Sequence, residues 1–325
     1  MRKSPGLKEI DAAAAALIGR IVPTPTLNIT QSRMHKHLPK GADVSIKMEL
    51  FQNAGSFKYR GVLLGVDAMS DAERRSGVTA ASAGNHALAV STAAKAEGIN
   101  ARIAMPSYAD QVRIDGCRAL GASIELFDNI NELFAGMERF AAEDGRKILH
   151  PYEAEHMTLG AATCGAELAR ACPKLDLAVI PVGGGGFISG MSAAIRHLHP
   201  GAKIFGVEPF GADTLHQSCM AGKAVGIDKV NTIADSLAAP AALPNSFAIA
   251  QENIDGVVRV SDEDLLAAMR LLYDGLKIVP EPACAASLAA ILGPLRAQAE
   301  GKNVAVVACG SNISLARFTE LLGSD

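Results

Sequence analysis

Short runs rich in β-branched and aliphatic residues alternate with helical stretches along almost the whole chain, and this alternation is the strongest constraint on its fold. Runs at 44–48, 78–82, 101–105, 122–127, 177–182, 203–208, 256–260 and 303–308 read as strands. Helical patterns lie between them, at 85–97, 110–120, 187–198 and 262–276. The last opens with a capping box, Ser261-x-x-Asp264, in which two side chains satisfy backbone N–H groups that a helix start leaves free. A parallel strand pair needs a crossover long enough to be a helix. The alternation therefore predicts an α/β fold of open, twisted parallel sheets with helices on both faces. Composition agrees. Only 4% of the 325 residues are aromatic and Trp is absent, while 49% are hydrophobic. The core must be built from Ala, Val, Ile and Leu, which suits helices packed tightly on parallel strands. Residues 70–150 read as a self-contained set of βα units inserted between the flanking parts.

Several functional classes are disfavoured. The net charge is −3 and no stretch concentrates Lys and Arg, so nucleic acid and anionic membrane are not expected as main partners. No apolar run approaches the ~20 residues that span a bilayer. The apolar run 12–19 follows Glu9 and Asp11 and is closed by Arg20, which predicts an amphipathic first helix and no signal peptide. The cysteines at 117, 164, 172, 219, 284 and 309 form no C-x-x-C pair and no zinc-like cluster. A reducing compartment without disulfides is expected, and with it a soluble, cytoplasmic protein.

Four segments at the C-terminal ends of predicted strands carry the chemistry, where open α/β sheets bind ligands. In Gly55-Ser-Phe-Lys58-Tyr-Arg-Gly61 a lysine opens a helix. That end of the dipole disfavours a cation and lowers an amine's pKa. In Ala81-Ser-Ala-Gly-Asn-His86 small residues expose backbone N–H groups at a helix start, an anion site. Gly183-Gly-Gly-Gly186, after Pro181-Val182, ends a buried strand and opens a helix, a turn that cradles phosphate with main-chain donors. It fits neither G-x-G-x-x-G in any register nor the G-K-[ST] of a nucleotide P-loop. The fourth segment is Cys309-Gly-Ser-Asn312. Each alone has an ordinary structural explanation: a solvated lysine, a capped turn, a tight loop, a core thiol.

Together, in this order and spacing, the segments resemble the serine/threonine dehydratase group of pyridoxal-phosphate enzymes, which includes serine racemase. The likeness runs from Thr24-Pro25 to Asn312. Its further landmarks are Met105-Pro106, His150-Pro151, Gly206-Val-Glu-Pro209, Thr232-Ile-Ala-Asp235 and Glu281-Pro282. The resemblance implies the tryptophan synthase β-like arrangement, fold type II. A large cofactor domain would comprise 1–69 plus 151–325, and a small domain, 70–150, would close over the substrate. It implies pyridoxal 5′-phosphate held as a Schiff base on Lys58, with Phe57 against its ring and Asn85 at its ring hydroxyl. Gly183, Gly184, Gly185, Gly186 and Phe187 match the phosphate cradle. Cys309 matches the position facing the pyridine nitrogen. Ser82, Ala83, Gly84, Asn85 and His86 match the loop that grips the substrate carboxylate. A thiol cannot protonate the ring as a carboxylate would, so elimination of a β-substituent is favoured over a long-lived carbanion. The implied reaction is dehydration and deamination of a small β-hydroxy amino acid by Lys58 as base, in a homodimer.

Departures from the family pattern refine this. Serine racemases carry a serine where this chain has Ala83, so a racemase is disfavoured. The wording of the lysine and Gly-Asn-His segments disfavours a β-replacement enzyme. A nicotinamide-dependent oxidoreductase is suggested only by the α/β pattern and the glycine loop, and it lacks the dinucleotide fingerprint; intact Lys58, Asn85 and Cys309 argue against a non-catalytic sensor. Glu208 and Ala212 match two of three cation-ligand positions in some relatives, but the third is Thr214, with Asp213 adjacent, so no metal is assigned and oxygen ligation of a divalent cation near Glu208 stays open. Gly160-Ala-Ala-Thr163 and Ser236 replace commoner residues and blur substrate choice. The chain ends soon after Asn312, so no regulatory domain is expected beyond it. Serine, threonine, 3-hydroxyaspartate and bulkier 3-hydroxy amino acids all stay open.

Overall fold

The computed structural model describes residues 3–323; the first two and last two residues lie outside it. Among the described residues, ten strands form two sheets: β1 (Thr26–Asn28), β2 (Asp43–Lys47), β3 (Val78–Ala81), β4 (Ala101–Pro106), β5 (Ser123–Phe127), β6 (Lys147–Ile148), β7 (Leu177–Pro181), β8 (Lys203–Pro209), β9 (Gly256–Val260) and β10 (Asn303–Val307). The larger sheet has the order β1-β2-β10-β7-β8-β9 and the smaller β5-β4-β3-β6. All pairings are parallel except β1 with β2. The expected α/β class with two open parallel sheets is borne out.

Strand β7, Leu-Ala-Val-Ile-Pro, is buried along its length. A strand covered on both faces has no need of polar alternation. The helix Pro282–Leu292 is likewise mostly apolar and buried from Pro282 to Ile291. It packs on β7, β8, β9 and β10 in the core of the larger unit. The smaller sheet lies wholly within residues 78–148, flanked by Asn85–Ala96, Gln111–Ala119 and Ile130–Asp144. The first helix is Leu7–Leu17, amphipathic and burying Ile10, Ala13 and Leu17.

Bare backbone lets the helices behind the site approach closely. A Cβ on Gly190 would lie 2.1 Å from the carbonyl of Thr158, and one on Gly160 2.3 Å from the amide of Gly61. The segment Gly160-Ala-Ala-Thr163 thus sits inside the helix Glu155–Ala171 at a packing seam. Its unusual residues bear on helix contact and not on the cleft wall, contrary to the reading that they blur substrate choice.

The helix Lys58–Asp67 is wedged between the two units. Gly61 meets Glu155–Ala171 of the larger unit, while Tyr59, Val62, Leu63 and Val66 join the apolar core beside β3 and β4. Its Arg60 is fully buried. The guanidinium donates from Nε and Nη2 to Glu49 at 2.8 Å each, and from Nη1 to Glu167 at 2.7 Å. A buried ion pair needs such complete pairing to offset desolvation. The result is a first turn whose direction, and that of Lys58 within it, is fixed from below.

Among the described residues no helix is long and apolar enough to cross a membrane. The six cysteines are free.

Candidate active site

A cleft with about 230 Å3 of free space opens between the two units, at the C-terminal ends of β3, β7 and β10. It brings together every residue singled out from the sequence as cofactor- or substrate-binding: Phe57, Lys58, Ser82, Ala83, Gly84, Asn85, His86, the four glycines 183–186, Phe187 and Cys309 all line it.

Lys58 is the first residue of its helix. Its Nζ donates to the carbonyl of Pro151 at 2.6 Å and lies 5.2 Å from the centroid of the Phe57 ring. Burial lowers its pKa to about 8, an effect partly opposed by the nearby Cys309 sulfur. Cys309 itself is 3% exposed, and burial holds its thiol well above the ordinary range. The amine and an uncharged thiol therefore face the same space. Phe57 stacks on Phe187 with centroids 3.8 Å apart, an apolar wall beside the amine.

The glycine loop runs from β7 into the helix Gly186–Leu198. Gly185 has φ +90°, which L side chains rarely adopt. A Cβ on Gly184 would strike the Tyr152 ring at 2.4 Å, and one on Gly186 the Tyr152 carbonyl at 2.5 Å. Ser246 fixes the loop from outside: its Oγ donates to the carbonyl of Gly184 at 3.2 Å, and Glu153 accepts from its backbone amide at 3.1 Å. Among the described residues, the amides of Gly183 to Phe187 have no protein acceptor. Free donors at a helix N-terminus bind an anion.

The second anion site is the turn from β3 into Asn85–Ala96. The amides of Ala83, Asn85 and His86 likewise have no acceptor among the described residues, whereas that of Gly84 is tied to Ser82 Oγ at 3.1 Å. The His86 ring points away from the loop. Its Nε2 lies 2.7 Å from the carbonyl of Leu149 and so carries the proton, and burial keeps the ring neutral. What His86 offers a ligand is its backbone. The Asn85 amide is clamped on both sides. Its Nδ2 donates to Glu281 at 2.6 Å and to Ser236 Oγ at 3.1 Å, and its Oδ1 accepts from Asn312 at 2.6 Å.

Arg113, Tyr152, Phe134 and the side chain of Glu281 are among the cleft residues not singled out from the sequence. Glu281 had a signal, as half of the Glu-Pro landmark before a helix, but its part in holding Asn85 was not legible. Arg113 and Phe134 sit in ordinary helices and carried no signal. Ser236 does reach the site, as its bond from Asn85 shows. The candidate cation ligands are otherwise engaged. Glu208 accepts from the amides of Leu215 and His216 at 2.8 Å each, and Asp213 pairs with Arg259 at 2.9 Å.

Comparison with known proteins agrees with this geometry. The family described as pyridoxal-phosphate dependent enzyme matches residues 19–310. A phenylserine dehydratase from Ralstonia pickettii is 42% identical over 283 residues, 87% of each chain. An L-threonine ammonia-lyase from Thermotoga maritima is 37% identical over 276 residues, 85% of this chain and 68% of that one. The solved structure of maize serine racemase matches with a TM-score of 0.91 at 31% identity, over 98% of this chain and 97% of the other. This chain belongs to the pyridoxal-phosphate dependent enzyme family.

Proposed function

We propose that this protein is a pyridoxal 5′-phosphate-dependent ammonia-lyase that converts a β-hydroxy amino acid to a 2-oxo acid and ammonia. The observation that carries the reading is the Lys58 amine, with its lowered pKa, set beside the neutral thiol of Cys309 and within one cleft with a glycine cradle. The relatives named phenylserine dehydratase and L-threonine ammonia-lyase support it.

The residues present fit the cofactor. Gly184 and Gly186 leave space where a Cβ would meet Tyr152, and the loop 183–187 offers unpaired amides for a phosphate. Phe57 and Cys309 would flank the ring, and Asn85 would meet its hydroxyl. Bound there, pyridoxal phosphate supplies the electron sink that acidifies the substrate α-proton.

This chain's residues do the rest. The amides of Ala83, Asn85 and His86 hold the substrate carboxylate at a helix start. Lys58, as neutral amine, removes the α-proton. The β-hydroxyl leaves with a proton as water, and the enamine so formed hydrolyses to the 2-oxo acid and ammonia. The grip loop offers no second base, since Ala83 has no hydroxyl and Ser82 Oγ already accepts the Gly84 amide. Elimination is therefore favoured over racemisation. We further assign residues 70–150 as the part that closes on the substrate, and a cytoplasmic homodimer as the working form.

The test is release of 2-oxo acid from a panel of β-hydroxy amino acids by the purified holoenzyme. Lys58→Ala should lose both turnover and the visible absorption of the bound cofactor. Full turnover in that variant, or abundant D-serine from L-serine in the wild type, would sink the reading. Light scattering in solution tests the dimer.

A further inference from the structure

Resting on the ammonia-lyase reading, we infer that the side-chain end of the cleft is built for a β-hydroxy amino acid with an aromatic group on the β-carbon, and that Phe134 is its principal specificity residue. The smaller unit contributes Tyr108, Leu133 and Phe134 to the cleft, and the larger unit contributes Leu237, Ala238 and Pro240. All but the tyrosine hydroxyl are apolar at the side chain.

Phe134 is a fixed wall. It is half-buried and packs on the small cluster of Leu133, Met137 and Phe140 behind it. Its ring runs near-parallel to that of His150, with centroids 6.5 Å apart, and His150 meets the edge of Tyr152 at 4.9 Å. Aromatic groups at such spacings attract further rings in offset or edge-on geometry. Tyr108 stands at the cleft mouth, 70% exposed, a large ring that a substrate ring would cover.

The charges exclude the opposite kind of substrate. Among the described residues lining the cleft, the cations are Lys58 and Arg113. Lys58 belongs to the cofactor. Arg113 is paired with Asp235 and faces Glu281 at 3.7 Å. Burial also keeps the nearby His150 ring neutral, with its pKa lowered to about 4. A second carboxylate on the substrate would be buried without a partner, which is costly. Serine or threonine would bind but leave the aromatic-lined space to water.

Steady-state release of 2-oxo acid by the holoenzyme tests this with L-threo-3-phenylserine, L-threonine and L-threo-3-hydroxyaspartate. We expect kcat/KM for phenylserine to exceed that for threonine by about tenfold or more, and hydroxyaspartate to be the poorest, as expected when a hydrophobic pocket discriminates by size. Phe134→Ala should lower kcat/KM for phenylserine, chiefly through KM, about tenfold more than for threonine. Phe134→Leu keeps apolar volume and should fall between, which guards against a folding defect in the alanine variant. Turnover of threonine with little or none of phenylserine, or an equal loss on both substrates in Phe134→Ala, overturns the pocket assignment and leaves the ammonia-lyase reading standing. A cofactor-loaded enzyme that releases 2-oxo acid from none of the three overturns both.

Discussion

Arg113 and Asp235 join the two sheet units across the cleft. Arg113 lies on the helix Gln111–Ala119 of the smaller unit and is 4% exposed. Its guanidinium donates to Asp235 from both Nη1 and Nη2, the latter at 3.3 Å, while Nε donates to the carbonyl of Asn312 at 2.8 Å. Every partner belongs to the larger unit. This pair therefore resists opening of the cleft while sitting in its wall. Asp235 is half-exposed, so Asp235→Asn should cost less than about 1 kcal/mol of stability yet raise KM by loosening closure. Arg113→Ala strips the cation that faces buried Glu281 and should cost about 3–5 kcal/mol. Denaturant titration and KM, measured on both variants, separate the two effects. Equal destabilisation by both would show that the pair is not graded in this way.

Lys58 should be reactive at a lower pH than an ordinary lysine. Only the neutral amine attacks an aldehyde, and burial brings the Lys58 pKa from 10.5 to about 8. The rate at which cofactor-free protein takes up pyridoxal phosphate should rise about tenfold per pH unit below this value and level off above it. Absorbance stopped-flow across pH 6 to 10 reads this directly. A rate still climbing through pH 10 would mean the amine is solvated.

Glu281 makes stability depend on pH in the less usual direction. Burial raises its pKa from 4.5 to about 7, against the pull of Arg113. The folded state therefore holds this proton more tightly than the unfolded state does. The stabilising contribution is full below pH 4.5 and is lost as pH rises through about 7. At about 1.4 kcal/mol per pKa unit the loss is on the order of 3 kcal/mol. Glu281→Gln keeps an acceptor for Asn85 but cannot ionise. Its stability relative to wild type should rise between pH 5 and pH 8 in urea titrations, and a constant difference would contradict the assignment. Glu208, raised to about 8 by burial, titrates in the same sense in both proteins and cancels in this comparison.

The parts legible in the sequence were those whose signal is local. The eight strands expected from alternation are present within a residue or two at each end, and the helix over 262–276 has its capping box on Ser261 and Asp264. The strands missed, β1 and β6, have three and two residues, too few to show a period. The lysine turn, the grip loop and the glycine loop were legible because each concentrates its chemistry in consecutive residues. Arg113 and Phe134 were not, because each acquires a role only when its unit docks on the other. Tyr152 is similar, since its value lies in covering glycines more than thirty positions away in sequence.

That last contact yields a prediction about cofactor binding. The Tyr152 ring lies flat enough against Gly184 that an added Cβ would be 2.4 Å from three of its ring atoms or nearly so. The ring cannot simply retreat. Its neighbour His150 packs against it, and the next residue, Glu153, is tied to the amides of Asn245 and Ser246 at 2.8 and 3.1 Å. Gly184→Ala must therefore move the loop itself, and with it the amides 183–187 that would hold the phosphate. Each charge-assisted hydrogen bond to a phosphate is worth about 1.5–3 kcal/mol, so displacing two of them should weaken pyridoxal phosphate binding by a factor on the order of 100 or more. Overall stability should change less in the cofactor-free protein, because the loop lies at the cleft surface. Fluorescence titration of cofactor-free wild type and Gly184→Ala with pyridoxal phosphate measures the ratio, and pyridoxal without the phosphate provides the control. If the cradle acts through the phosphate, the substitution should leave the weak binding of pyridoxal nearly unchanged. An equal loss for both ligands would place the damage at the ring or at Lys58 instead of at the glycine loop.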